Sequence, residues 1–271
     1  MMIPDNPPTR EEGLRRLAAF IPKSGRDYAA RRNFDLPGHP HVSGLSPYIR
    51  HRLVTEEEAL RAILGRYALS TAEKAVQEVF WRTYWKGWLE LRPEIWTDYR
   101  RGVRAALDRI RTETGLRLNW EAACRGETGI DGFDHWAREL AATGYLHNHA
   151  RMWFASIWTF TLRLPWELGA DFFLRHLLDG DPASNTLSWR WVAGLQTRGK
   201  HYLARPANVE IHRGTVPARR PRHGGGPSRR SAPSSPTGGA PRRRFRGMRT
   251  RRADPDRGRP FTGFRARQGP A

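Results

Sequence analysis

Three observations predict an all-α fold for this chain. Apolar residues recur at helical spacing through most of the first 210 residues. Helix-capping signals precede several of these runs, most plainly Thr55 with Glu58 three residues on. Strand signals, meaning alternating Val/Ile/Thr runs and Asn-Gly hairpins, are almost absent, and no fixed-period repeat is visible.

Residues 11–20 set Leu14, Leu17 and Ala18 at helical spacing. Residues 22–47 read as a loop broken by Gly25, Pro37, Gly38, Pro40 and Gly44, with Tyr28 isolated inside it. Ser46 and Pro47 read as the cap and first position of a helix. The Thr55–Glu58 capping box introduces a helix over 59–67. A long aromatic-rich helix over 71–91 is stopped by Pro93, and 97–112 is basic and amphipathic. Helices over 128–142, 145–164, 167–178 and 185–194 complete the set.

Composition divides the 271 residues in two. Residues 211–271 hold 17 arginines, two aspartates and neither lysine nor glutamate, so they carry +15 of the +20 net charge. Gly and Pro fill 19 of those 61 positions, which leaves too little apolar surface to offset the entropy of ordering. A disordered basic tail is expected, binding polyanions without sequence preference. Residues 1–210 are nearly balanced, with 30 basic and 25 acidic residues, and hold all eleven tryptophans. That length supports one sizeable core or two small ones. The lone cysteine, Cys124, excludes an internal disulfide framework and a cysteine-based metal site. The first residues lack a signal-peptide core, and the longest apolar run, 153–164, contains Arg163 and falls short of the roughly 20 residues of a membrane span. A soluble, cytoplasmic protein is expected.

The most informative stretch is 144–191. It sets His147, Asn148, Arg151, Asp179, Gly180, Asp181, Asn185, Trp189 and Trp191 on or between strongly apolar helices. Polar groups in such a wall must be paired or hold a ligand, since unpaired burial costs about 1–3 kcal/mol each. Asp179, Gly180 and Asp181 before Pro182 also read as an ordinary cap-to-cap turn. Asn185 four residues on, and Arg151 on the preceding helix, make them candidates for binding a heterocycle of alternating donors and acceptors. Val42, Ser43, Gly44, Leu45 and Ser46 precede a helix start and can hold phosphate. Trp81, Arg82, Trp85 and Lys86 interleave aromatics with cations, a pattern that either stacks bases or packs a core beneath a solvated face. Core filling accounts for about half of the tryptophans; near a redox cofactor, Trp96, Trp166 and Trp189 can instead pass electrons. His147 and His149, two residues apart, point different ways on a helix and make no metal pair. Neither a P-loop nor a Gly-x-Gly-x-x-Gly is present.

Taken together, these segments resemble the FAD-binding helical domain of the DNA photolyase and cryptochrome family, in collinear order from about Gly13 to Tyr202. Tyr28 followed by Arg31 and Arg32 looks like the family's tyrosine and basic pair. Val42 to Tyr48 is similar to its Thr-Ser-x-Leu-Ser-Pro phosphate loop, with Val42 and Gly44 replacing a hydroxyl and a usual arginine. Glu78, Trp81, Arg82 and Tyr84 match its Glu-x-x-Trp-Arg-x-Phe/Tyr helix. Thr143 to Met152 resembles Thr-Gly-x-x-His-Asn-Arg-x-Arg-Met, with His149 at the first arginine. Asp179, Gly180, Asp181, Asn185, Trp189 and Trp191 match its most specific signature, although Thr186, Leu187 and Ser188 replace the usual small residues.

The resemblance implies an all-α domain holding FAD. Tyr28 and residues 42–46 would contact the FAD phosphates. Asp179, Gly180, Asp181 and Asn185 would face the flavin and its ribityl, with Arg151 paired to Asp179. Glu78, Trp81, Asn148, Met152 and Trp191 would line the pocket for a flipped pyrimidine dimer, with Arg32, Arg82, Trp85 and His149 contacting DNA. Trp189, Trp166 and Trp96 would form the electron chain, and Asn185 and Glu78 would act in the chemistry. The His147-Asn148 pair is the pattern of cyclobutane-dimer enzymes. The implied reaction is light-driven electron transfer from flavin to a cyclobutane pyrimidine dimer; a blue-light or redox signalling flavoprotein, or a non-functional remnant, stands as the alternative. The family's N-terminal antenna domain has no counterpart here, so absorption through flavin alone is expected. The likeness ends near Asn208, and the arginine-rich composition beyond it is what a shifted reading frame in GC-rich DNA would give.

Overall fold

The computed structural model describes residues 7–197, 200–205 and 209; among these it forms eleven α-helices and no strand. Helix α1, Arg10–Phe20, starts at Thr9, whose hydroxyl accepts the Glu12 N–H at 3.2 Å. Then come α2 (Arg26–Arg31), α3 (Ser46–Arg50) and α4 (Glu56–Leu64). The capping box of α4 is reciprocal: Thr55 Oγ1 accepts the Glu58 N–H at 3.2 Å, and Glu58 Oε2 accepts the Thr55 N–H at 2.9 Å. The long α5 (Leu69–Glu90) is followed by α6 (Pro93–Thr112), with Pro93 at the start of α6, where a missing N–H costs nothing. Helices α7 (Thr114–Arg125), α8 (Asp131–Thr143), α9 (Asn148–Ser156), α10 (Trp166–His176) and α11 (Pro182–Val192) complete the order.

Some elements differ from the sequence expectation. The loop expected over 22–47 contains α2, and α7 occupies a stretch with no expected helix. Both start without a side-chain cap, and they bury no residue and one residue, respectively. The run expected over 145–164 becomes α9 and then a π-helical turn, Ile157–Thr161. Arg163 closes it at φ 53°. Trp158 fastens the exit, its Nε1 donating to Pro165 O at 2.9 Å.

The larger core gathers the apolar faces of α6, α8, α9, α10 and α11, with Trp136, Trp153, Trp158, Phe133 and Phe154 completely enclosed. Smaller clusters lie under α1, α3 and α4, and between α4 and α5. No helix among the described residues is long and apolar enough to cross a membrane. The expected tail, 211–271, lies outside the described residues.

Candidate functional site

The site is built where α9, the 177–181 turn and α11 meet. The turn between α10 and α11 needs a glycine at its centre. A Cβ on Gly180 would sit 3.0 Å from both Leu174 O and Leu177 O. This tight passage sets Asp179 and Asp181 on either side, 8% and 5% exposed. Arg151 of α9 meets Asp179 with two parallel hydrogen bonds, Nη1 to Oδ2 and Nη2 to Oδ1, each 3.1 Å. Its Nε donates to Leu146 O at 2.8 Å, fixing the plane of the guanidinium. Burial pushes the Asp179 carboxyl up, but Arg151, the Ser46 hydroxyl and Arg82 outweigh it and hold its pKa below the usual value.

Asp181 caps α11, its Oδ1 accepting the Ser184 N–H at 2.9 Å. Its other oxygen lies 3.6 Å from Arg50 Nε and 3.9 Å from Lys86 Nζ. One turn along, Asn185 donates from Nδ2 to Ala170 O at 2.8 Å, which fixes the amide and leaves its Oδ1 as an acceptor. Arg82 of α5 faces this acidic group. Burial lowers its pKa, against the pull of Asp179 and Asp181, and its Nε and Nη2 are buried without a hydrogen-bond partner. The Ser184 hydroxyl is in the same position. Buried donors without partners beside a fixed carboxylate and a free amide oxygen suit a polar, multi-acceptor ligand such as a flavin and its ribityl.

The predicted phosphate loop, residues 42–46, approaches from the other side. Ser46 faces Asp179 and helps lower its pKa, while Ser43 Oγ accepts the Leu45 N–H at 3.2 Å. Val42 and Ser43 line an open groove of ≈ 200 Å³ together with Arg15, Arg16 and Lys23. Tyr28 packs edge-on to Phe20 at 5.3 Å, and burial raises its hydroxyl pKa beside Glu78 and Arg32.

Arg32 and Glu78 form an ion pair. Trp81 stacks on Trp85 with centroids 5.7 Å apart, and Trp81 is 43% exposed. The sequence pattern on α5 admits an aromatic core face under solvated cations; in the structure Trp85, Arg82 and Lys86 are all half-buried. Phe80, Trp81 and Tyr84 are exposed, while Arg82 and Lys86 turn toward Asp181. Asn148 is exposed at the first position of α9 and Met152 is half-buried. His149 packs on Trp153 at 5.0 Å, and Trp191, 38% exposed, stacks on Tyr202 at 5.8 Å.

The three electron-chain candidates fall in two groups. Trp189 is buried against Phe173 at 5.1 Å and Trp158 at 6.2 Å. Trp96 and Trp166 share a neighbour that sequence reasoning missed: the Tyr99 ring lies 5.2 Å from one and 5.6 Å from the other. A second missed cluster supports the site from outside. His39 meets Glu139 at 3.0 Å and Asp35 at 3.4 Å, and stacks on His147. Burial alone would lower the His39 pKa, but the two carboxylates hold it at about 9. Burial takes His147 down to about 4, so it stays neutral, with Nε2 on Arg32 O at 3.1 Å. His39 sits at φ 48° in a loop without helical periodicity, which left no pattern to find it by. No group of three or more metal-ligating side chains gathers among the described residues.

The helical body thus brings a buried Arg–Asp pair, a capped acidic turn and the buried amide of Asn185 together beside Arg82. Residues 75–213 match the family model described as the FAD binding domain of DNA photolyase. The chain belongs to the DNA photolyase family and carries its FAD-binding domain. It is 33% identical over 201 residues to a deoxyribodipyrimidine photo-lyase of Alkalihalophilus pseudofirmus, covering 71% of this chain and 39% of that protein. A class III photolyase from Agrobacterium tumefaciens is structurally similar with a TM-score of 0.62 at 27% identity, over 75% of this chain and 42% of that one. An archaeal photolyase from Sulfolobus tokodaii, solved with two FAD molecules, gives 0.59 at 25% identity, over 75% and 43% of the two chains. The chain thus spans about two fifths of the length of these relatives.

Proposed function

We propose that this domain holds FAD at the Asp179–Asn185 turn and serves light-driven electron transfer to cyclobutane pyrimidine dimers in DNA. The observation that carries the reading is the pair of fixed acceptors, Asp179 locked by Arg151 and Asn185 Oδ1 left open, beside buried donors without partners. FAD, when bound, supplies one-electron chemistry driven by light, for which the protein needs no general acid or base. Asp179 and Arg151 would hold a preset pair of charges beside the flavin, and Asn185 would offer its amide oxygen to it. Asp181 holds the N-terminus of α11 in register. Arg82, turned inward, fits a cofactor contact better than one to DNA. Residues 42–46 and Tyr28 serve the phosphate end.

In this reading Glu78, Trp81, Asn148, Met152 and Trp191 form the dimer pocket. Arg32, Trp85 and His149 lie on the DNA face. Trp189, Trp166 and Trp96 pass electrons inward, with Tyr99 carrying the contact between the last two. Trp189→Phe is expected to slow flavin photoreduction severely while FAD stays bound; an unchanged photoreduction rate makes Trp189 a packing residue only.

The test of function is repair. Protein loaded with FAD, reduced and illuminated with blue light should restore an oligonucleotide containing a cyclobutane dimer. Photoreduction without restoration of the oligonucleotide would favour a signalling flavoprotein, and failure to bind FAD would end both readings.

A further inference from the structure

The loop that should meet the cofactor's phosphates carries no cation of its own. Among residues 42–46, Val42, Gly44 and Leu45 offer no side-chain donor. Ser46 faces the Asp179 carboxylate, and Ser43, whose Oγ accepts the Leu45 N–H, has only a neutral hydroxyl proton to donate. A dinucleotide's pyrophosphate brings two negative charges, and leaving them uncompensated against protein is costly.

The missing charge arrives from another element. Arg16 of α1 places Nη1 3.0 Å from where a Cβ on Gly44 would stand. Gly44 itself has φ +62°, so the position favours glycine on backbone grounds as well. Arg16 thus occupies the space that a side chain at 44 would fill. Its guanidinium is held in place, with Nε donating to Glu12 Oε1 at 2.7 Å and Cζ over the Tyr48 ring at 5.7 Å. Arg15 and Lys23 complete the cationic lining of the groove beside Val42 and Ser43, and Glu12 offsets one of these three charges. The groove is within reach of the flavin site, because the three residues from Ser43 to Ser46 can span at most about 11 Å, and Ser46 opens α3, whose Arg50 donates from Nε to Gly180 O at 3.1 Å.

We infer that Arg16 is a phosphate-binding residue of the FAD site, supplying from α1 the guanidinium that the 42–46 loop lacks. The inference rests on the FAD reading above and adds the residue and the charge that recognise the pyrophosphate. A planar guanidinium suits this task, since it can present two donors to phosphate oxygens at once.

The experiment compares FAD with riboflavin, which shares the ring but has no phosphate. Both are titrated against the full chain and against Arg16→Ala and Arg16→Lys, following flavin fluorescence. Glu12 keeps Arg15 as a partner in both variants, and the unfolding midpoint checks that each is folded. Arg16→Ala should bind FAD about ten- to a hundredfold more weakly, the range expected for losing a charged hydrogen bond. Its riboflavin affinity should not change, and Arg16→Lys should fall between. FAD binding equal to the unmodified chain overturns the inference while leaving the FAD site standing, and so does a loss confined to DNA affinity. Parallel loss of FAD and riboflavin also overturns it, because Arg16 would then only support the fold. An unmodified chain that binds no FAD overturns the underlying reading together with this one.

Discussion

The tryptophans of the α8–α11 core and those of the α5 face have the same chemistry and opposite surroundings. Trp136, Trp153 and Trp158 are 0% exposed and Trp189 is 2% exposed, whereas Trp81 is 43% exposed and leans on Trp85 and Tyr84. Trp158 packs among Phe133, Phe154 and Phe172, Trp189 stands edge-on to Phe154 and Phe173, and Trp136 stacks on Trp153. On α5, Arg82 and Lys86 face the acidic turn, while Phe80, Trp81 and Tyr84 lie exposed and Trp85 and Trp88 half-buried. Two buried carboxylates thus draw cations of α5 toward the turn. Aromatic content alone could not reveal that.

The comparison should break first at the core. Trp158→Ala removes a fully enclosed ring and the bond that fastens Pro165, and should cost about 3–5 kcal/mol in urea unfolding. A loss below about 1 kcal/mol would mean that the core repacks around the gap. Second in size is Arg151→Ala, which leaves the Asp179 carboxylate buried without its bidentate partner. About 3 kcal/mol should be lost at neutral pH. The pH dependence has a definite sign: Asp179, with its pKa lowered in the fold, contributes stability above its unfolded pKa, and this is lost as pH falls through the folded value. Acid unfolding of Arg151→Ala should therefore be less steep than that of the unmodified chain.

The His39 clamp gives a smaller effect in the opposite pH direction. With its pKa raised from 6.5 to about 9, His39 stabilises fully below its unfolded pKa and loses that contribution as pH rises toward 9. His39→Gln should flatten the change in thermal midpoint between about pH 6.5 and 9. An identical slope in the variant would show that the clamp is not charged. The smallest effect belongs to the exposed face: Trp81→Ala should leave stability within about 0.5 kcal/mol. A loss like that of Trp158→Ala would erase the distinction between the two regions.

What the sequence could reveal follows from how local each signal is. The Thr55–Glu58 box and the cap at Asp181 are read within four residues and appear in the structure as expected, whereas the cap at Thr9 is found only in the structure. The Arg151–Asp179 pair is 28 residues apart, yet it was legible because each half stands in its own motif. Helix α7 was not legible because it buries only Ala123, so its apolar periodicity is faint. Arg16, Tyr99 and His39 act through partners on other elements, in contacts that no local spacing encodes. The inward turn of Arg82 depends on Asp179 and Asp181, about a hundred residues later, and follows from charge pairing across the fold.

The central claim is that the turn between α10 and α11 forms a flavin site. Titration of the purified chain with FAD, alongside Asn185→Ala, tests it most directly. The account predicts that the unmodified chain quenches and retains the flavin, with at least about tenfold weaker binding in the variant, as the loss of one well-placed acceptor requires. Equal affinity in the two proteins, or no binding in either, would contradict it.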